Sequence, residues 1–314
     1  LHDSLLGFRR KQGGTTNANA LFVPVTEGAF CFLAQEPDLD VTHTNDTASY
    51  YDAIAERYHL FYRDWDAAMQ REGANLRRTF RDHQIKKVLD ASCGTGTQAV
   101  GLAKLAYHVT AADPNPAMLA QARRNADRYG MSERIRFVQG HFLNLPRVAS
   151  GPFDAVLTKG NSLPHLISDA DLTLAMRNFY HLLRPGGLVV IGIRDYDFML
   201  EDRPRFVPRQ FHEEPDEDVI LFDVWDWEDG PPATVRFNTF IVTGKGDAYN
   251  VSKQSVTYRA LRRAELESMM QAAGFVDITF ETQQWEIVAV GRRPDEALTS
   301  TAQTDAKTEQ PRTD

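Results

Sequence analysis

Between Lys87 and Ile193, short apolar runs alternate with segments of helical period, and no other feature constrains the fold as tightly. Lys87-Val88-Leu89 reads as a strand ending at Asp90, and Thr97–Ala106 as the helix after it. His108–Ala112 is a second strand, ending at Asp113. Pro116–Tyr129 is the next helix. Pro116 suits its first turn, where a missing N–H has no partner to lose. The spacing then predicts strands over Ile135–Val138, Phe153–Leu157 and Leu188–Ile193. It predicts a helix over Asp169–Leu183, ended by Pro185-Gly186-Gly187. Strands alternating with helices form a mainly parallel sheet covered on both faces, so the expected class is α/β, doubly wound.

The flanks read differently. Tyr51, Ile54, Ala55, Tyr58, Phe61 and Tyr62 recur at helical spacing, and a second helix is expected from about Ala74 to Asp82. After Arg194 the rhythm breaks. Asp195–Gly246 shows no helical period, and Val219–Trp227 and Thr234–Val242 read as strands of a β-rich insertion over about 195–246. A helix over Arg263–Ala273, stopped by Gly274, and strands over Phe275–Phe280 and Trp285–Val290 resume the pattern. One domain is therefore expected over 47–293. An N-terminal extension over 1–46 and a tail over 294–314 are expected to be poorly ordered, the tail being polar and free of aromatic residues.

Composition excludes several classes. With 43 acidic and 35 basic residues the formal net charge is −8, which argues against a nucleic-acid partner, since phosphate binding needs clustered Lys and Arg. No apolar run reaches the roughly 18 residues of a membrane span. Leu21–Leu33 is interrupted by Pro24, Glu27 and Gly28 and reads as no secretory signal. Two cysteines, Cys31 and Cys93, make no disulfide framework and no zinc pattern, so the expected compartment is a reducing cytoplasm and no metal is expected. The segment His212–Asp229 holds nine acids and no Lys or Arg. It reads either as a solvated loop or as a charged lid that draws in cationic amines.

The chemical signal is Asp90-Ala91-Ser92-Cys93-Gly94-Thr95-Gly96, set between a strand and a helix. Glycines let backbone approach a ligand closely, and a helix N-terminus favours anionic groups. Gly94-x-Gly96-x-x-Ala99 also satisfies a dinucleotide pattern. The strand-end Asp90, however, suits a cationic ligand better than a pyrophosphate. Taken with Asp113 and Met118-Leu119, Phe153-Asp154-Ala155-Val156 and Leu183-Arg184-Pro185-Gly186-Gly187, the loop resembles the ordered motif series of class I S-adenosylmethionine (SAM) methyltransferases over roughly 86–193. The resemblance implies a seven-stranded Rossmann-like sheet and SAM as cofactor. It implies that Asp113 holds the ribose hydroxyls and that Asp90 with Gly94–Gly96 holds the methionine part. His141, where an Asp is common, and Phe142 would flank the adenine. Tyr58, Ser92, Asn115, Met118 and Thr158 complete the expected cofactor-binding set.

Two strand-end segments narrow the acceptor. Lys159-Gly160-Asn161-Ser162-Leu163-Pro164-His165-Leu166 and Ile193-Arg194-Asp195-Tyr196-Asp197 resemble those lining the substrate site of glycine and glycine/sarcosine N-methyltransferases. By that resemblance Asn161 orients the substrate, Arg194 pairs with its carboxylate and Tyr196 sits nearby. Tyr51 is a further candidate on a stripe that could equally be helix packing. The expected activity is methyl transfer to the amine of a small amino acid. O- or C-methylation of another small metabolite, or SAM binding without turnover, are the alternatives. A homo-oligomer is compatible with the sequence.

Overall fold

The computed structural model describes residues 45–283 and 286–295. The expectations for 1–44, for Trp285 and for the tail beyond Asp295 lie outside the described residues. The chain opens with α1 (Asn45–Ile54), continued by a 3-10 segment over Ala55–Phe61, and α2 (Trp65–Phe80). The alternation follows as β1 (Lys87–Asp90), α3 (Thr97–Lys104), β2 (His108–Asp113), α4 (Pro116–Arg128), β3 (Ile135–Gln139), α5 (Leu145–Val148), β4 (Phe153–Thr158), α6 (Asp169–Leu182) and β5 (Leu183–Arg194). A short α7 (Tyr196–Asp202) leads to β6 (Phe206–Glu213), β7 (Asp218–Glu228), β8 (Thr234–Lys245) and β9 (Ala248–Arg259). The chain then returns through α8 (Arg263–Ala272), β10 (Val276–Gln283) and β11 (Glu286–Arg292).

Seven strands form one sheet in the order β10-β11-β5-β4-β1-β2-β3. The first five strands in sequence run parallel, and β11 is antiparallel to both of its neighbours. Successive residues of the central strands feed two cores. Leu89, Val156 and Ile191 point to one side, with Phe179 of α6 and Met270 of α8. Val88, Leu157 and Val190 point to the other, with Met69 of α2 and Leu102 of α3. Burial on both faces is why these strands read as unbroken apolar runs. The parallel arrangement also brings the carboxyl ends of β1, β2, β4 and β5 to one edge, where such sheets bind ligands.

Three stretches depart from the sequence expectations. Helix α2 begins at Trp65, capped by Asp64, whose side chain accepts from Ala67 N at 3.0 Å, well before the expected Ala74. Gly73 disguised it. That glycine sits where α2 crosses α3, and a Cβ there would lie 2.9 Å from the Gly101 carbonyl oxygen. Helix α7 occupies a segment expected to lack helical structure, and Asp195 caps it by accepting from Phe198 N at 3.1 Å. The insertion runs to Arg259, not 246, because β9 completes a four-stranded antiparallel sheet, β6-β7-β8-β9. The first half of β9 is exposed on both faces, Tyr249 and Val251 included. The helix crossing gives a direct check. A Cβ at Gly101 would stand 2.6 Å from the Met69 carbonyl. Gly101→Ala is expected to cost about 1–3 kcal/mol through forced separation of α2 and α3, read by urea unfolding.

The acidic segment is not a loop. It is mostly β7, and four of its acids meet bases from elsewhere: Asp218 with Lys245, Asp223 with Arg209, Asp226 with Arg205 and Asp229 with Arg203. Asp223 is fully buried and also accepts from Thr239 Oγ1 at 2.8 Å and Trp225 Nε1 at 3.1 Å. Among the described residues no helix is long and apolar enough to cross a membrane.

Candidate active site

The glycine loop is shaped by backbone before any ligand is considered. Gly94 has φ +52° and Gly96 φ +90°, a region that L side chains rarely adopt. Asp113, at the end of β2, fastens the loop. Its Oδ2 accepts from Gly94 N at 2.9 Å and its Oδ1 from Asn115 N at 3.0 Å. Burial pushes its carboxyl up to about 6 against those two N–H donors. Asp90 is 1% exposed. Its Oδ1 accepts from Ser92 N at 3.4 Å, and its Oδ2 has no hydrogen-bond partner among the described residues. Burial, with a smaller contribution from the charge of Asp113, pushes Asp90 up to about 7.

In front of this loop lies a cavity of about 820 Å³ of empty space, counting its open mouth. Ser92, Gly94, Asp113, Met118, His141 and Phe142 line it, with Tyr51 and Tyr58 facing them. Tyr58 is near enough to Asp113 for that charge, after burial itself, to raise its phenol. His141 Nδ1 accepts from Leu143 N at 3.3 Å, which leaves the proton on Nε2. Phe142 is buried, edge-on to Phe179 at 5.6 Å.

A second cavity adjoins the first and shares Tyr51, Tyr58, Tyr62, Gln98 and Gly160 with it. Its empty space is about 1850 Å³. Asn161 and Arg194 line it. Asn161 adopts φ +67°, and its Oδ1 accepts from Arg194 N at 3.1 Å while its Nδ2 donates to Tyr196 Oη at 2.9 Å. Arg194 is 8% exposed, and its guanidinium lies 5.4 Å from the Trp225 ring and 5.3 Å from the Phe237 ring. Burial first, and then the neighbouring Arg209 charge, lower it to about 10, so it stays charged at neutral pH. Tyr51 Oη is 2.9 Å from His165 Nε2.

Residues 88–187 match a family model described as a methyltransferase domain. This chain carries a methyltransferase domain. Over 138 residues it is 36% identical to a glycine/sarcosine N-methyltransferase of Parasynechococcus marenigrum, a match covering 44% of this chain and 48% of that protein. It is 32% identical over 161 residues to a glycine N-methyltransferase of Rattus norvegicus, covering 48% of this chain and 55% of the relative. The chain thus spans about half the length of the curated relatives it matches. The structure of a SAM-bound amino pentose methyltransferase from Micromonospora echinaspora aligns with a TM-score of 0.61 at 20% identity, covering 77% of this chain and 96% of the other. The fold is the class I methyltransferase fold, and the aligned amino pentose methyltransferase holds SAM.

The methyltransferase domain offers SAM what such a cation needs. Asp90 Oδ2, at the end of β1, and Thr95 Oγ1, on the cavity wall, are buried polar atoms lacking a hydrogen bond among the described residues. Asp113 would hold the ribose, and Phe142 and Met118 the base. Four members of the expected set, Asp90 at the end of β1 among them, stand outside the cavity wall. Asn115 spends its amide on structure: its Oδ1 caps α4 by accepting from Met118 N at 2.9 Å, and its Nδ2 donates to Asp52 of α1 at 2.7 Å. Thr158 is fully buried behind Ser92, with the two hydroxyls 2.8 Å apart. Gly96 faces Ala122 of α4, where a Cβ would have 3.4 Å. Tyr196 lines neither cavity, and its Oη accepts from Asn161 Nδ2. Burial pushes its phenol up to about 12, so it stays neutral. Sequence reasoning missed Glu72, Lys159, Arg209 and Glu286, which line these cavities. Only Lys159 had a sequence signal, beside the strand-end segment.

The two raised carboxyls set a pH dependence. Asp90 and Asp113 stand above their ordinary value of 3.8 in the folded chain, so between about pH 4 and 7 the native state holds more protons than the unfolded one. Their contribution to stability therefore falls as pH rises through that window. A bound cation favours the ionised forms and reverses the balance. SAM affinity is expected to rise between about pH 5 and 8 with proton release. Calorimetry in buffers of different ionisation enthalpy reads that release, and Asp113→Asn should reduce it.

Proposed function

We propose that the chain is a SAM-dependent N-methyltransferase acting on the amine of a small amino acid such as glycine or sarcosine. The observation that carries this reading is Arg194. It is a buried, charged guanidinium at the carboxyl end of β5, in a cavity that shares a wall with the cofactor pocket. A carboxylate accepts two parallel hydrogen bonds from such a fork, a geometry that Lys does not reproduce. The names of the curated relatives, glycine and glycine/sarcosine N-methyltransferases, support the same acceptor class.

When bound, SAM supplies an already activated methyl group. The chain then has to position an amine and exclude water, and positioning alone is worth on the order of 7–11 kcal/mol. Asn161 and Tyr196 fix the end of β5 that presents Arg194. Tyr51, Tyr58 and Tyr62 wall the junction of the two cavities. The proposed setting is the cytoplasm, where a buried free thiol such as Cys93 stays reduced.

The test is SAM consumption against a panel of amino acids, simple amines and phenols. Turnover of glycine or sarcosine is the expected result. Turnover of phenols alone would move the reading to O-methylation, and no turnover of any acceptor would leave a binding protein.

A further inference from the structure

The acceptor cavity has a second charged pole that the reaction as described does not use. Lys159 is 4% exposed, although Lys is rarely buried unless paired. Its Nζ lies 2.7 Å from Glu72 Oε2 of α2 and 3.1 Å from Glu286 Oε2 of β11. Glu286 is held twice, since its Oε1 also accepts from Gly160 N at 2.7 Å. Two carboxylates around one ammonium leave a local charge of −1.

The position of this cluster is what gives it a role. Lys159 lines the cofactor cavity and the two carboxylates line the acceptor cavity, so the cluster stands where the cavities meet. Glu286 is the register partner of Arg194 across the antiparallel pair of β11 and β5. Directly opposed residues of a sheet point to the same face, with their Cβ atoms within about 5.5 Å. The Glu286 carboxylate lies over Gly192, where a Cβ would meet it at 2.6 Å. One wall of the cavity therefore carries Arg194 and Glu286 on neighbouring strands. Of the two acids, Glu72 is the more open to the cavity, and its Oε1 takes part in no hydrogen bond among the described residues.

We infer that Glu72 binds the ammonium end of the acceptor, with Lys159 and Glu286 as the positioning residues that hold it. The inference rests on the amino-acid reading above and narrows it. The acceptor carries a cationic amine as well as a carboxylate, so the cavity holds zwitterions more tightly than simple carboxylic acids. Charge complementarity at both ends decides the specificity. The notion that an acidic region draws in amines thus moves from the 212–229 segment to three residues from α2, the end of β4 and β11.

The experiment compares glycine with acetate, which keeps the carboxylate and lacks the amine. Binding of both to the SAM-loaded protein and to its Glu72→Gln variant is measured by calorimetry, together with glycine turnover. Glu72→Gln is expected to weaken glycine binding on the order of tenfold or more, as for a lost charge-assisted hydrogen bond. It should raise the KM for glycine without weakening acetate binding or SAM affinity. Glu72→Asp, which restores the charge, should recover part of the glycine affinity. Equal loss of glycine and acetate, or unchanged glycine binding in Glu72→Gln, overturns the inference and leaves the amino-acid reading standing. Failure of the wild-type protein to bind or methylate any amino acid overturns both.

Discussion

Replacing Asp113 by Ala is expected to lower SAM affinity on the order of 100-fold or more. The carboxylate would make two charge-assisted hydrogen bonds to ribose hydroxyls, each worth about 1.5–3 kcal/mol. The same carboxylate also accepts from Gly94 N and Asn115 N, so its removal strands two buried donors and loosens the glycine loop. The loss of affinity should therefore come with a loss of stability. Asp113→Asn separates the two effects. The amide oxygen can still accept from one of those N–H groups, so the loop is held better while the charge is gone. Calorimetric titration with SAM, beside thermal melts without it, gives both numbers. An unchanged affinity in Asp113→Ala would remove the ribose assignment.

The second large effect is expected at Arg194, and it should fall on the acceptor alone. Loss of one partner from a buried charge pair costs about 2–5 kcal/mol, or roughly 30-fold at the least in kcat/KM. Met in its place keeps contact with the Trp225 and Phe237 rings while giving up the fork. Because burial and Arg209 already hold the Arg194 pKa down, removing its charge should not destabilise the fold. SAM affinity should stay within a few-fold of wild type, because the donor cavity is not lined by Arg194. Arg194→Lys restores the charge without the planar fork and should recover only part of the rate. Equal turnover of glycine by wild type and Arg194→Met would refute the carboxylate role.

The charge balance takes on a different meaning in three dimensions. The net −8 of the chain says little about the site. What matters is that Asp223 faces Arg209, that Lys159 stands between Glu72 and Glu286, and that Asp90 and Asp113 hold opposite sides of one loop. Asp223, Lys159, Glu286, Asp90 and Asp113 are buried and Arg209 and Glu72 half-buried, where charge interacts strongly and desolvation is costly.

Local sequence determined the alternating half of the fold. The inner strands β1, β2, β4 and β5 are buried on both faces and α2, α4 and α6 on one, so burial is written into short-range periodicity. Asp90, Gly94, Gly96 and Asp113 were legible for the same reason: a tight loop between a strand and a helix tolerates few residue types. Tertiary structure decided what depends on distant pairing. Gly73 lies inside α2, where its lack of a side chain admits the close approach of Gly101. The first half of β9 buries no residue, and its strand state comes from pairing with β8. Asn115, Thr158 and Tyr196 look like site residues in the sequence, yet their polar groups are taken up by α4, Ser92 and Asn161. Glu72, Lys159 and Glu286 lie up to 214 positions apart in the chain. No local pattern joins them, and only the packing of α2 and β11 against the end of β4 brings their charges together.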